Sequence, residues 1–306
     1  MTTKFAKLLF SHLVVILISM AASAQQIADP YFNAKVDNPA FTKNFPRVLF
    51  DEAHNNSDTA RGRYKPFADL LFNDGYHVAA NRQPFTKESL KSFKILVIVN
   101  PLGAEDIDDE GADSPAFTKA ECDVVSEWIR GGGALLFVAD EAPFGSAAEI
   151  LATRLGVNMS KGYTMDPANA AKEENNTSVM VYSRENHLLA EHAILSGRSE
   201  AERVNRVIVF TGQSLKGPEG SEAFLKLADS AVDKIASPVK TNSAAGRAQG
   251  IAFRLGKGRV VSLGDAAMLS AQLTGSDNQP FGMNIPNIDN RQLALNIMHW
   301  LSGILK

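Results

Sequence analysis

Five side chains stand where an open α/β sheet would do its chemistry: Asp51, Asn100, Asp140, Thr211 and Asp265. Each directly follows, or nearly follows, a short apolar run of the kind that forms a buried strand. Their neighbours are polar as well, with Glu52, His54 and Asn55 after the first run, Glu141 after the fourth, and Gln213 and Ser214 after the fifth. Ligands of open α/β sheets bind beyond the carboxyl ends of the strands. Three carboxylates delivered to that edge could divide acid and base roles between them. Asp51, His54, Asp140 and Asp265 could also offer oxygen and imidazole ligands to Mg, Mn or Zn. No HExxH or paired-histidine spacing supports that metal reading, and no metal or other cofactor is expected. The same Asp and Asn residues serve equally well as helix caps and turn formers.

Other reactive side chains have simpler readings. Cys122 falls on the apolar face of a helix with Val125 and Ile129, as a buried small residue would. Ser146, in Phe144-Gly145-Ser146-Ala147, lacks the second glycine of a nucleophile elbow and is expected to cap the following helix. Ser214 has no visible base. His187 and His192, five apart, do not share a helix face and suit local or surface roles, and His299 reads as a partly buried helix residue. Asn290 and Arg291 open the last helix, where unpaired N–H groups favour anions, so they join Asn55, Asn100 and Gln213 as candidate ligand contacts. Gly256-Lys257-Gly258 is too short for a phosphate loop and reads as a turn.

The elements that must hold these residues alternate between strand and helix. Arg47–Phe50, Tyr76–Ala80, Ile95–Val99, Ala134–Ala139 and Val207–Phe210 read as strands, and Ile251–Leu255 with Val260–Leu263 as a paired unit. Phe67, Leu70 and Leu71 mark a helix that ends near Gly75. Thr118 and Glu121 form a capping box for the next helix. Ser146–Leu155 and roughly Arg291–Ile304 are two further helices. This alternation argues for a doubly wound, mostly parallel α/β domain over residues 45–306, with an irregular insertion at 157–205 and an N-terminal extension at 25–44.

Composition limits the partners. Of 306 residues, 45% are apolar and 21% charged, with 31 basic against 34 acidic side chains and a formal charge of −3. This is an ordinary globular chain without the basic field that nucleic acid requires. A single cysteine excludes a disulfide framework. Residues 1–24 read as a secretory signal peptide: Lys4 and Lys7, an apolar run from Leu8 to Met20, then Ala22-Ser23-Ala24. Its removal leaves 29 basic residues, a charge of −5, and no remaining stretch long enough to span a membrane. The mature chain is therefore expected to be exported, periplasmic or secreted.

Three segments resemble the class I glutamine amidotransferase-like superfamily: Arg47-Val-Leu-Phe-Asp-Glu-Ala-His, Trp128-Ile-Arg-Gly-Gly-Gly-Ala-Leu-Leu and Gly256-Lys-Gly-Arg-Val-Val-Ser-Leu-Gly-Asp. More narrowly they look like an exported bacterial branch of it, over most of residues 45–303. The resemblance implies a flavodoxin-like sheet. It also implies, for the catalytic members, a cysteine on a tight turn after the central strand. Here that strand runs into Asp140-Glu141-Ala142-Pro143, so glutamine hydrolysis through a thioester is not expected. Two readings follow. The first is a non-catalytic or accessory domain that binds a small polar ligand, such as a sugar or cell-wall fragment. The second is a hydrolase whose catalytic candidates are Asp51, Glu52, His54, Asp140, Glu141 and Asp265, with or without a metal. Contact with a membrane transport assembly, as for some relatives, is a third.

Overall fold

The computed structural model describes residues 26–171, 179–236 and 238–306. The expected signal peptide and the polar stretch Lys172–Ser178 lie outside them. The framework is a large, mostly parallel central sheet. Its first four strands are β1 (Arg47–Asp51), β2 (His77–Asn81), β3 (Ile95–Val99) and β4 (Ala134–Val138). In space they run β2-β1-β3-β4, every neighbouring pair parallel.

β3 and β4 are buried along their whole length, which is why their sequences are apolar at every position rather than alternating. The pleat sends Val97, Val99, Leu136 and Val138 into one core. Leu96, Ile98, Leu135 and Phe137 enter another on the opposite face. The first face is covered by α1 (Lys65–Asn73), through Phe67, Leu70 and Leu71, and by the C-terminal helix Asn290–Ser302. The second is covered by α2 (Lys119–Arg130), through Cys122, Val125 and Ile129, and by α3 (Glu149–Leu155). α2 begins as the sequence requires: the Thr118 hydroxyl accepts from the Glu121 N–H, and the Glu121 carboxylate accepts from the Thr118 N–H. α1 ends at Gly75, whose φ of +91° and 2.0 Å approach of a would-be Cβ to the Phe41 carbonyl admit only glycine.

Two expectations are corrected. Ser146–Leu155 is two short helices, Phe144–Ala147 and α3, and the residue before α3 is Ala148, with no side-chain cap. Ser146 lies inside the first helix and caps nothing. The strand β5 (Arg206–Phe210) does not enter the central sheet. It forms a separate antiparallel ladder with Val179–Ser183. The place beside β4 goes to β7 (Gly258–Leu263), parallel to it, and β7 is held in turn by its hairpin partner β6 (Ala248–Leu255) across the Gly256-Lys257 turn. The apolar run of β5 reflects burial on both faces, Val207 and Val209 in the main core and Ile208 and Phe210 in a smaller cluster with Val179, which sequence cannot tell from membership of the sheet.

Candidate functional site

The strand-end residues separate into two groups. In the first, Asp51 is fully buried and turns its Oδ2 to His54 Nδ1 at 2.8 Å. The other ring nitrogen, His54 Nε2, lies 3.0 Å from Glu121 Oε1. Glu121 is the residue of the α2 capping box, and it also accepts from the Phe85 N–H. The imidazole sits between Phe85 and Phe117, with ring centroids at 4.7 and 4.5 Å. Burial pulls the imidazole toward its neutral form, but hydrogen bonds and charge from Asp51 and Glu121 outweigh it and leave the His54 pKa raised. Burial also opposes charge on Glu121. The Thr118 hydroxyl, His54 and two backbone N–H groups overcome it and hold the carboxyl at about 2. This carboxylate–imidazole–carboxylate bridge ties the loop after β1 to the start of α2, and both ring nitrogens are consumed by it.

The second group gathers around Asn100, at φ +44° after β3. Its side-chain amide donates to Asp140 Oδ2 at 2.8 Å and to Asp58 Oδ2 at 2.9 Å, while its Oδ1 accepts from the Asp140 N–H at 3.0 Å. Asp140 Oδ1 accepts from the Ala266 N–H at 2.6 Å. Asp265 accepts from the Phe210 and Met268 N–H groups. Burial drives the Asp140 carboxyl well above its ordinary value, and the charges of Asp265 and Glu141 add to that. Burial likewise pushes Asp265 up to about 7, with backbone N–H groups opposing and Glu141 reinforcing. Glu141, half-buried, is raised by burial too. The Tyr64 hydroxyl, fully buried, donates to the Ala266 carbonyl at 2.6 Å.

Above this cluster opens a crevice of about 210 Å³, lined among others by Ser57, Asp58, Arg63, Asn100, Asp140 and Gln272. Arg63 crosses it, with Nε 3.1 Å from Asp58 Oδ1 and Nη2 donating to the Ser57 carbonyl at 3.1 Å. Gln272 is buried; its amide donates to Ser270 Oγ at 2.6 Å, and its Oε1 is a buried acceptor with no hydrogen-bond partner among the described residues. Such an atom forgoes the hydrogen bonds water would give it, at a cost of about 1–3 kcal/mol unless something donates to it.

The remaining candidates lie elsewhere. Glu52 points to the outer edge of the sheet, 3.3 Å from Arg82. Asn55 is exposed in a left-handed turn. Gln213 is a buried clamp: its amide donates to the Ala139 and Asp140 carbonyls at 2.9 and 2.7 Å, and its Oε1 accepts from the Lys161 N–H at 2.8 Å. Asn290 pairs with the backbone of Ile208 in both directions, at 2.9 and 2.7 Å. Arg291 reaches the carbonyls of Asn33 and Lys35 and anchors the N-terminal extension. The last-helix N-terminus faces β5 and that extension, not the crevice, so neither residue lines it.

Thr211, at φ +71°, is strained for a β-branched residue, and Gln249 holds its carbonyl at 2.6 Å. Ser214 Oγ donates to Asp233 at 2.7 Å. His192 caps a short helix by accepting from the Ile194 N–H, and His187 is exposed in a left-handed turn. His299 is fully buried against Asp74 at 2.7 Å, deeper than its sequence position suggests. Among the described residues, no group of three or more His, Cys, Asp or Glu side chains is placed to hold a metal ion. The four weak metal candidates are split between the two groups, because His54 turns away toward Glu121.

Asp58, Arg63 and Gln272 line the crevice without having stood out in the sequence. The first two lie in a long polar loop between β1 and α1, which reads as solvated surface until its contacts are known. Gln272 carries no sequence signal at all.

No family model matches the chain, and no curated relative matches it. Its fold is that of the mmIFT52 N-terminal domain. That solved structure superposes with a TM-score of 0.60 at 15% identity, over 83% of this chain and 97% of the other. Weaker likenesses include a ThuA-like protein from Bacteroides uniformis and a GMP synthase-type protein from Thermoplasma acidophilum. Both have a TM-score of 0.43 at 12% identity, covering 90% and 85% of this chain and 95% and 96% of theirs. The latter two are too distant to bear on this chain's chemistry. Among the described residues no helix is long and apolar enough to cross a membrane.

Proposed function

We propose that this chain is an exported, non-catalytic accessory domain that binds a small polar ligand, such as a sugar or cell-wall fragment, in the Asp58–Asn100–Asp140 crevice. One observation carries the reading. The carboxylates and amides around the crevice are tied to one another or to backbone N–H groups, whereas the buried acceptor of Gln272, in its wall, has no donor among the described residues. A ligand hydroxyl supplies that donor, and Arg63 offers a cation beside it. The hydroxyl of Ser214 and the thiol of Cys122 are both withdrawn, one in a hydrogen bond and one in the α2 core, so neither supports covalent catalysis.

The strand order β2-β1-β3-β4 supports a flavodoxin-like, doubly wound reading and, with the three sequence segments, kinship to the exported branch of the amidotransferase-like superfamily. The leader supports a periplasmic or secreted location. Docking to a membrane complex is compatible with all of this; nucleic acid is not, on charge.

A hydrolase is the second reading, favoured by the raised carboxyls of Asp140 and Asp265 in one buried cluster. Calorimetric titration of the purified chain against a panel of monosaccharides and cell-wall fragments tests both. Binding without turnover is expected, weakened roughly tenfold by Gln272→Ala, the worth of one buried hydrogen bond. A panel with no binder, or product formation abolished by Asp140→Asn, overturns it.

A further inference from the structure

The central sheet ends in β2, which has a ladder on one side only: among the described residues, β1 is its sole partner. Two bonds fix which of its backbone groups are spent. The His77 N–H donates to the Pro46 carbonyl at 2.9 Å, and the Asn81 carbonyl accepts from the Glu52 N–H at 2.8 Å. Parallel pairing alternates strictly, so residues 77, 79 and 81 face inward and the N–H and C=O groups of Val78 and Ala80 face outward. Along this edge runs a cavity of about 730 Å³, walled by Asp69 and Phe72 of α1, by Val78 to Ala80 themselves, and by Phe93. Phe72 is 68% exposed. Natural sheets blunt such an edge with lysine, proline or a bulge. The sequence His77-Val-Ala-Ala-Asn81 contains none of these, and its register with β1 is unbroken.

We infer that this edge is a homodimer interface, in which β2 pairs antiparallel with β2 of a second copy about a two-fold axis through Ala79. The alternation selects this register. Val78 then sits opposite the copy's Ala80, and these form hydrogen-bonded pairs, while Ala79 faces its own equivalent as the non-bonded pair, so all four outward groups are satisfied. The charges agree. The groove holds two cations, Arg61 and Arg82, and two anions, Glu52 and Asp69, so it meets a copy of itself without net repulsion, as an isologous contact requires. A strongly charged partner would find nothing to select it. The two-fold axis stands normal to the sheet and brings the α1 helices side by side on one face. Phe72 of one copy is then covered by the Ala68 end of the other, and Ala79 and Ala80 are small enough to let the two edges close.

Sedimentation of the purified chain over a concentration series tests this, with hydrogen exchange at Val78 and Ala80 as a local readout. A monomer–dimer equilibrium is expected, with both amides slowing as the dimer fills. Ala80→Pro removes only an outward N–H, and Phe72→Asp places a charge in the contact; each shifts the dimer constant at least tenfold toward monomer, with circular dichroism unchanged. Ala80→Lys serves in the same role should the proline variant misfold. A chain that stays monomeric at the highest concentration overturns the inference. So does a dimer indifferent to Phe72→Asp and Ala80→Lys, or an edge protected only by an added extended peptide of a different protein.

Discussion

The Asp51–His54–Glu121 bridge makes a prediction that is quantitative in both mutation and pH. Replacing His54 with alanine leaves two buried carboxylates facing a gap that had held one imidazole between them. Removing one member of a buried, hydrogen-bonded charge group costs about 3–5 kcal/mol, because the survivors stay buried without a partner. For a domain of this size that is a fall of roughly 10 °C in melting temperature. The pH dependence gives the sharper test. His54 has its pKa raised above 6.5 in the folded protein, so its contribution is complete below about 6.5 and is lost as pH rises through the folded value. Glu121 is held at about 2 against 4.5 unfolded, so its contribution is complete above 4.5 and is lost as pH falls toward 2. The difference in stability between wild type and His54→Ala should therefore be greatest between about pH 4.5 and 6.5 and shrink on either side. Urea unfolding at half-unit steps from pH 3 to 9 measures it, and taking the difference between the two proteins removes titrations they share. A difference that is flat with pH, one that grows above pH 7, or a cost under about 1 kcal/mol would refute the bridge as a charged unit.

Two further outcomes follow from the second cluster. Glu141→Gln removes a carboxylate that raises both Asp140 and Asp265, so the titration of Asp265 should move down from about 7, read by carbon-13 NMR of the side-chain carboxyls; an unmoved Asp265 would place Glu141 outside the cluster. Gly264→Ala should fail to fold or lose several kcal/mol, since a Cβ there would lie 1.9 Å from the Gln213 carbonyl, whose own N–H binds the Gly264 carbonyl; soluble expression with an unchanged melting curve would disprove that approach.

Much of the frame was legible in the sequence. Ile95–Val99 and Ala134–Val138 announce themselves as doubly buried strands because nothing polar interrupts them, and Thr118 with Glu121 marks the start of α2 to the residue. The edge at which Asp51, Asn100, Asp140 and Asp265 emerge was legible for the same reason. Their partners were not. His54 lies three residues from Asp51 but chooses its second carboxylate 67 residues away, a contact that exists only once α2 has packed. Asn290 and Arg291 have the types and the position of an anion site, but the β5 backbone and the N-terminal extension take up their hydrogen bonds first. Sequence shows which groups reach an edge; which of them are already spent depends on long-range packing.

Cys122 is fully buried on the inner face of α2, and burial pushes its thiol up to about 11, so at neutral pH it is protonated and shielded from reagents. The chain thus carries one built-in clock for its own opening. Any modification of this thiol in the native protein reports how often α2 lifts from the sheet and carries no information about the crevice. Because Glu121 stands next to it in sequence, the same clock registers the letting-go of His54.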